Sequence, residues 1–375
     1  NVTVASTVET QRGGGTYQYE TNRIDRVAGL YVTNPSGDGM LSVVAGGDIS
    51  LQAAQIRNAG TDGLTQLAAG GNLDVGAIAL DERRDATFDD RNHQRSSKTT
   101  HVATSVQGGG DVVLAAGKDI NLAAAQIKAG GGLALQAGGD INSQALVDSE
   151  SRDFANAGKR SSLQVSQSDE TVRGSQLRAG GDIALSAGRD LTLIAAGVRS
   201  DQGMLSIGAE RDVNLLAAQE SHTWEKDAQS KKRGLTSSTR TATHDATQDV
   251  LGIGTTLSGE KVIIGAGRDI TVEGARVAAT ADVLMAAKGN LSILAAESTH
   301  SEQHSSDRKK SGLLGGMNGS IGVTFGSRSN GNSNSLTETL AEGSLIGSAQ
   351  GSVTLSAGQT LHLGGSDVLS KTGIT

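Results

Sequence analysis

The chain has 375 residues with no cysteine, one proline, 52 glycines and a formal net charge of −7. Without cysteine it can form neither disulfides nor thiolate metal sites, and its mild acidity argues against nucleic acid as a partner, because phosphate binding requires a basic face. Aromatic residues make up only 2% of the sequence, so the core must consist of small and branched aliphatic side chains. No apolar run approaches the roughly 20 residues of a membrane-spanning helix.

A short frame, in which apolar residues alternate on both sides of Ala-Gly-x-Asp/Asn, recurs along the chain. Around Ala116 it has Val112 and Leu114 before the turn, and Ile120 and Leu122 after it. Alternation with period two predicts strands with one buried face, and Gly with Asp or Asn predicts a turn that requires positive φ. The alanine of the frame falls at Ala45, Ala69, Ala116, Ala137, Ala187, Ala209, Ala266, Ala287 and Ala357, with an extra half-copy at Ala179.

The spacing of the frame predicts the architecture. Copies come in pairs 21 to 24 residues apart, and the pairs recur after 71, 71, 79 and 91 residues. A unit of this size with two or three short strands indicates one coil of a parallel β-helix, whose coils bury their apolar faces only by stacking. Helical solenoids, the competing class, would need a period of 3.6 that the frame lacks. We therefore predict an all-β fold, a right-handed parallel β-helix (solenoid) of about 11 coils in a single domain, 1–375.

Four polar and charged stretches separate the paired coils and are predicted to be extruded β-hairpin insertions. Each has an acidic or Ser/Thr-rich arm, a basic cluster and a returning arm, although charge-rich disorder is an alternative. The insertions are 81–107, 148–176, 219–258 and 297–346, and the paired coils are 37–80, 108–147, 177–218, 259–296 and 347–375. Their regular period predicts that all four leave the same edge of the rod. The first 30 residues are expected to belong to a preceding insertion and its coil.

The basic clusters of the insertions are the one candidate binding feature. Placed along one edge, they would suit anionic lipopolysaccharide or a membrane surface. Alternatively, charged turns prevent hairpin edges from pairing with other chains. The candidate residues are Arg95, Lys98, Lys159, Arg160, Lys231, Lys232, Arg233, Arg308, Lys309 and Lys310.

Two patterns could indicate metals, and both have a simpler explanation. The repeated turn acids could form a calcium ladder, but the second Gly-x-Asp step of calcium-binding repeats is missing, and basic residues at Lys118, Arg189, Arg211 and Arg268 precede acids and offer charge balance. The acids are Asp48, Asp111, Asp119, Asp140, Asp182, Asp190, Asp212 and Asp269. His300 and His304 would present two ligands on a helix, but on a strand they lie about 13 Å apart. We predict no metal site and no cofactor.

An enzyme is an alternative to a structural rod, because β-helices also host polysaccharide lyases and hydrolases. Such enzymes need paired carboxylates in a cleft, usually with aromatic platforms for sugar rings. In this chain the repeat spreads the acids, and Trp224 is the only tryptophan. The sequence predicts no catalytic residues and no enzymatic activity.

The motifs Ala-Gly-Gly-Asp-Ile-Ser-Leu at 45–51 and Ala-Gly-Lys-Asp-Ile-Asn-Leu at 116–122 resemble the haemagglutinin-repeat region of filamentous haemagglutinins and of CdiA-type contact-dependent growth-inhibition effectors. Ala-Ala-Gln-Glu-Ser at 217–221, Ala-Ala-Glu-Ser at 295–298 and Lys-Lys-Ser-Gly-Leu-Leu-Gly-Gly at 309–316 are similar to coil-to-insertion junctions and hairpins of that family, nearest to its second repeat region.

The resemblance implies a large exoprotein, secreted through the outer-membrane transporter of a two-partner secretion system and displayed on a Gram-negative cell surface. It also implies that this chain is part of a longer protein with a variable C-terminus that can carry a toxin. Two functions follow for a monomeric rod. It helps deliver the toxin across the target cell's outer membrane, or it is a rod or binding surface of an adhesin that engages a surface receptor. Apolar alternation at 163–166 and 321–325 hints at delivery.

Overall fold

The computed structural model describes residues 1–315 and 323–375, and every regular element in them is a β-strand. Within these residues there is no helix with the length and apolarity to cross a membrane. The alternating stretch at 321–325 and the motif at 309–316 lie partly outside the described residues.

The strands are short in the rod and long where the chain leaves it. The first group is β1 (Val2–Ala5), β2 (Thr7–Gly13), β3 (Tyr17–Arg26), β4 (Gly29–Val32), β5 (Met40–Ala45), β6 (Ile49–Gln52), β7 (Gln55–Asn58), β8 (Leu64–Ala69), β9 (Leu73–Asp89), β10 (Asn92–Ala103), β11 (Ser105–Gly108), β12 (Asp111–Ala116) and β13 (Ile120–Ala123). The second is β14 (Gln126–Ala129), β15 (Leu133–Ala137), β16 (Ile141–Gln144), β17 (Leu146–Ala157), β18 (Ser161–Arg173), β19 (Gln176–Ala179), β20 (Ile183–Ala187), β21 (Leu191–Ile194), β22 (Gly197–Ser200), β23 (Leu205–Ala209), β24 (Val213–Leu216), β25 (Ala218–Arg233) and β26 (Ser237–Ile253). The third is β27 (Thr256–Gly259), β28 (Val262–Ala266), β29 (Ile270–Glu273), β30 (Arg276–Ala279), β31 (Val283–Ala287), β32 (Leu291–Leu294), β33 (Ala296–Gly315), β34 (Val323–Glu342), β35 (Leu345–Ser348), β36 (Ser352–Ala357), β37 (Leu361–Gly364), β38 (Asp367–Ser370) and β39 (Gly373–Ile374).

Three parallel sheets run along the rod, and each full coil contributes one strand to each of them. Sheet A contains β1, β6, the start of β9, β13, β16, β21, β24, β29, β32 and β37. Sheet B contains β4, β7, β11, β14, β19, β22, β27, β30, β35 and β38, and sheet C contains β5, β8, β12, β15, β20, β23, β28, β31, β36 and β39. The predicted all-β parallel β-helix is therefore confirmed.

After every second strand of sheet A the chain leaves the rod as an antiparallel hairpin. We number these hairpins 1 (β2–β3), 2 (β9–β10), 3 (β17–β18), 4 (β25–β26) and 5 (β33–β34). The described residues thus contain ten rungs in each rod sheet and five hairpins, where the sequence predicts about 11 coils and four hairpins. Residues 7–26 form hairpin 1, in agreement with the preceding insertion expected in the first 30 residues, whereas the count of about 11 coils includes them.

Branched aliphatic side chains stack in columns inside the rod. In sheet A, Ile49, Leu73, Ile120 and Ile141 are consecutive register partners with no exposed surface. Burial of one such side chain is worth about 1.5–3 kcal/mol, so stacking offsets the scarcity of aromatic residues. The nine alanines of the frame form one continuous column of sheet C, which confirms the repeat.

The glycines of the frame are required because the backbone of the adjacent rung leaves no room for a Cβ. The predicted reason, positive φ at the turn, was wrong. A Cβ on Gly70 would lie 2.4 Å from the carbonyl oxygen of Gly46 one rung away, and one on Gly117 would lie 2.4 Å from that of Gly70. Stacked rungs bring these backbones together. Glu210 holds the corresponding position in a later rung, so glycine is not obligatory in every coil.

Positive φ occurs instead at the corner between sheets A and B in the coils without a hairpin. The residues are Ala53, Ala124 and Ala195, with φ of 48°, 51° and 49°, and Gly274 and Gly365, both with φ of 59°. All five corners repeat at the same intervals as the paired coils. Each sharp turn carries the chain directly from sheet A to sheet B, which explains why a hairpin is not needed there.

Candidate interaction surface: the hairpin sheet

The five hairpins are not separate arms, because they pair side by side into one ten-stranded antiparallel sheet. Its strand order is β2, β3, β9, β10, β17, β18, β25, β26, β33, β34. We call each boundary between neighbouring hairpins a seam. The seams lengthen along the chain, from 5 paired residues between β3 and β9 to 14 between β26 and β33. The hairpins therefore form a single surface along one side of the rod.

Register partners in adjacent strands share a face of this sheet, and one row of partners is ionisable across eight strands. This ionic row consists of Glu82, Lys98, Glu150, Asp169, His222, Asp249, His300 and Glu338. At the seam between hairpins 2 and 3, Lys98 Nζ lies 3.3 Å from Glu150. Hydrogen bonds from Arg152 and Lys98 lower the pKa of Glu150. The ionic row therefore continues across the seams and connects hairpins 2, 3, 4 and 5.

The predicted basic residues separate into two environments. Arg95 and Lys98 lie among acids, with Arg95 Nε 3.3 Å from Asp85. The other eight converge on the ends of hairpins 3 and 4, away from the rod, and on the adjoining part of hairpin 5. With Arg240 and Arg328, which the sequence reasoning missed, they form what we call the basic patch: Lys159, Arg160, Lys231, Lys232, Arg233, Arg240, Arg308, Lys309, Lys310 and Arg328.

The basic patch places like charges directly opposite one another. Lys231, Arg240 and Lys309 are consecutive register partners on one face. On the other face, Lys310 pairs with Arg328. Within residues 1–315 and 323–375, no ion pair joins any patch residue to a carboxylate within 4.0 Å. Such an arrangement weakens the sheet unless an anion neutralises it.

An open groove of about 350 Å³ lies at the hairpin-3 end of the patch. Its lining includes Arg91, Lys159, Arg160, Lys231 and Arg240 and contains no acidic residue. Two larger grooves nearer the rod differ, because acids and bases line them together. Of these three grooves, the one at the outer end of the sheet is therefore the one suited to anions.

Every histidine in the hairpin strands faces a carboxylate. The pairs are His93–Asp153 at 2.7 Å, His101–Asp148 at 2.9 Å, His222–Asp169 at 3.2 Å, His244–Asp227 at 3.0 Å, His304–Asp245 at 3.0 Å and His300–Asp249. All but His244–Asp227 cross a seam. His300 and His304 lie on one strand, as predicted, but each is tied to β26 rather than free on the surface.

One histidine cluster has the composition of a metal site. Ligand atoms of Glu225, Asp227 and His244 lie within 4.8 Å of one another. Both acids already contact His244 Nδ1, Asp227 at 3.0 Å and Glu225 at 3.7 Å. These contacts form a partly exposed ion-pair cluster on hairpin 4.

The turn acids of the rod form a hydrogen-bonded ladder. Asp119 Oδ1 accepts from the Asp140 N–H at 2.8 Å, and Asp140 Oδ1 accepts from the Asp190 N–H at 3.0 Å. The ladder runs through Asn1, Asp48, Asn72, Asp119, Asp140, Asp190, Asp212, Asp269 and Asn290. This is the predicted turn role.

Arginines flank the ladder. Arg189 lies 2.9 Å from both Asp119 and Asp140, and its guanidinium bridges two rungs. A hydrogen bond from Arg268 lowers the pKa of Asp212. The charge balance expected from Arg189, Arg211 and Arg268 is present, whereas Lys118 makes no ion pair among the described residues.

Four buried hydroxyls at the hairpin exits were missed from the sequence. Thr104, Ser175, Thr255 and Ser344 each accept a hydrogen bond from a backbone N–H at the corner of an adjacent coil, at 3.0 to 3.2 Å. Each is at most 1% exposed. A Ser or Thr two residues before the first buried apolar residue of sheet B is the signal that could have identified them. They fix where each hairpin rejoins the rod.

Comparison with known proteins identifies the family. The hemagglutinin repeat family matches residues 6–159, 155–250 and 234–373. The chain is 34% identical to the tRNA nuclease CdiA of Escherichia coli over 81% of its length and 37% identical to the deoxyribonuclease CdiA of Dickeya dadantii over 89%. A third relative, the 16S rRNA endonuclease CdiA of Enterobacter cloacae, is 32% identical over 46%.

The chain spans only 9%, 10% and 5% of the lengths of these three relatives. No solved structure matches it. The family match covers nearly the whole chain, including the paired coils and all five hairpins. The chain therefore belongs to the hemagglutinin repeat family.

Proposed function

We propose that this chain is a structural repeat region of a contact-dependent growth-inhibition exoprotein, secreted by a two-partner system and displayed on a Gram-negative cell. It helps deliver a C-terminal toxin across the target cell's outer membrane and has no enzymatic activity of its own. The observation that carries the proposal is the hairpin sheet, which gives the rod one continuous surface while its coils are closed on themselves.

The relatives support a non-catalytic role. The names of these three nucleases assign them three different nucleic-acid targets, yet all share this region at 32 to 37% identity. A region common to such different nucleases is better explained as shared transport apparatus than as a nuclease.

The basic patch is the contact that we assign to the target surface. Lys231, Arg240 and Lys309 line up across three strands, and every charged residue that lines the neighbouring groove is a cation. Phosphate groups at the surface of an outer membrane would neutralise this charge, and the attraction would weaken with salt. The sequence led us to expect four basic clusters along one edge of the rod. We propose instead that the ten residues of the basic patch form one anion-binding surface.

A competition assay tests the delivery role in the full-length exoprotein. We expect replacement of residues 1–375 by an unrelated rod of equal length to abolish killing of target cells while surface display and cell attachment persist. Loss of attachment alone would contradict delivery and support the adhesin function.

A second experiment tests the patch separately. Lys231→Ser, Arg240→Ser and Lys309→Ser should together reduce binding to vesicles of anionic outer-membrane lipid. A matched control changes Arg57, Lys128 and Arg276, three exposed cations of sheet B, to serine. Equal binding by the two triple variants would exclude the patch as the contact.

A further inference from the structure

The ionic row becomes strongly acidic across hairpins 3 to 5. On the face that carries His222 and His300, five carboxylates surround the two rings: Asp169, Glu220, Asp249, Glu302 and Glu338. No lysine or arginine of the described strands β18 to β34 occupies this row. The two histidines are the cations available to it.

His222 has a carboxylate at each ring nitrogen. Nδ1 lies 3.2 Å from Asp169 of hairpin 3, across the seam, and Nε2 lies 3.2 Å from Glu220 of its own strand. On its other side the register partner is Asp249 of β26. A neutral imidazole has one N–H and can satisfy only one of these acceptors, whereas the imidazolium satisfies both.

His300 repeats the arrangement at the next seam. Its Nδ1 contacts Asp249 of hairpin 4, and its Nε2 lies 3.3 Å from Glu302 of its own strand. Its register partner on β34 is Glu338. Asp249 therefore faces His222 within hairpin 4 and His300 across the seam.

We propose that His222 and His300 are proton-dependent ties that hold hairpins 3, 4 and 5 together, so that acidification closes the two seams and deprotonation loosens them. In the charged state each imidazolium bridges carboxylates of neighbouring hairpins. In the neutral state the five carboxylates repel one another, and no other cation of the row between β18 and β34 opposes them. This regulation of the sheet is independent of whether the rod delivers a toxin.

The pH window follows from the direction of the shifts. Hydrogen bonds to Asp169 and to Asp249 raise the pKa of His222 and of His300, respectively, above 6.5, against the opposing effect of burial. A raised folded-state pKa means that the stabilisation is fully present below pH 6.5 and is lost as the pH rises through the folded-state value. The seams should thus be tightest in mildly acidic solution.

Hydrogen exchange of the complete chain tests the ties. Protection factors of the amides in β18, β25, β26 and β33, corrected for intrinsic exchange, are compared at about pH 5.5 and about pH 8. We expect protection at the two seams to fall about two- to fivefold at the higher pH, the range for exposed charge pairs. His304 also meets Asp245 across the second seam, at 3.0 Å, so the comparison is made in a His304→Gln background. In this background the pH response should persist while His222 and His300 are present. With His222→Gln and His300→Gln added, protection should already be low at about pH 5.5 and should not change.

The matched control is His244→Gln, because His244 pairs with Asp227 inside hairpin 4 rather than across a seam. This variant should keep the pH response of the wild type. Equal protection at both pH values in the wild type, or a pH response that survives when His222→Gln and His300→Gln are added, would overturn the proposal.

Discussion

Two buried serines should contribute differently to the free energy of unfolding, because only one of their hydroxyls has a hydrogen-bond partner. Ser175 is fully buried and its Oγ accepts a hydrogen bond from the Ala125 N–H at 3.1 Å. Ser143 is equally buried, but its Oγ has no partner among the described residues. Removing a hydroxyl that accepts a hydrogen bond leaves a buried N–H group without a partner, which costs free energy. Removing a buried hydroxyl that has no partner avoids the cost of keeping it away from water.

We expect opposite effects from the same substitution at these positions. Ser175→Ala should lower the free energy of unfolding by about 1–3 kcal/mol, because the Ala125 N–H is left buried without an acceptor. Ser143→Ala should be neutral or stabilising. Urea denaturation followed by circular dichroism measures both, and a larger loss for Ser143→Ala than for Ser175→Ala would contradict this account.

The backbone conformations of single residues were the least predictable feature. Gly-x-Asp in the frame indicated positive φ, but the left-handed residues include Ala53, Ala124 and Ala195. Alanine normally disfavours this region, so composition gives no signal for it. Only the stacking of coils shows that frame glycines such as Gly70 are needed for space, because that contact is with the preceding coil.

Each hairpin is an insertion into a coil that can close without it. In the coils that lack a hairpin, two residues join sheet A to sheet B, as Gly274 and Ala275 do between β29 and β30. The equivalent connection between β24 and β27 contains all of hairpin 4. Rod pairing on either side does not involve the hairpin strands β25 and β26.

Hairpin 4 should therefore be removable. We expect that replacing residues 217–254 by one glycine leaves the rod folded, because both flanking rungs keep their partners. This change retains Thr255, which accepts from the Ala196 N–H, and gives the two-residue connection length found at 274–275. Hairpins 3 and 5 each lose the neighbouring strand that hairpin 4 provides, so both should become more sensitive to proteolysis. Limited proteolysis combined with circular dichroism tests this, and collapse of the rod signal would show that the hairpin is integral to the coil.

The sequence identified the candidate cations but not their neighbours. Arg95 and Lys98 belong to a cluster like the others, yet they face acids, while Lys231 and Lys309 face Arg240. Which charges meet depends on cross-strand register within each hairpin and between hairpins, and the contacts between hairpins, such as Lys98–Glu150 and Arg240–Lys309, join residues tens of positions apart. The repeat period predicts coils because it is local; it contains no information on how hairpins align.

The molecule combines two kinds of stacking in one direction. Parallel rungs repeat through the rod, and antiparallel hairpins repeat beside it at every second coil. Ten rungs at about 4.8 Å give a rod roughly 50 Å long. The ladder of turn acids, the alanine column and the ionic row all run along this axis. The sequence predicted the rod and the hairpins; the pairing of the hairpins with one another required the structure.

Formation of a disulfide across a seam tests most directly whether the hairpins form one sheet. Ser168 of hairpin 3 and Thr223 of hairpin 4 are register partners, and the natural chain contains no cysteine. Register partners lie about 4.5–5.5 Å apart at Cα, within the range that a disulfide spans. The variant Ser168→Cys, Thr223→Cys should oxidise to an intramolecular disulfide, whereas Ser168→Cys, Thr243→Cys should not, because Thr243 lies opposite Ala228 on the far strand of hairpin 4. Failure of the first pair to cross-link, or equal cross-linking of both, would mean that the hairpins are independent arms.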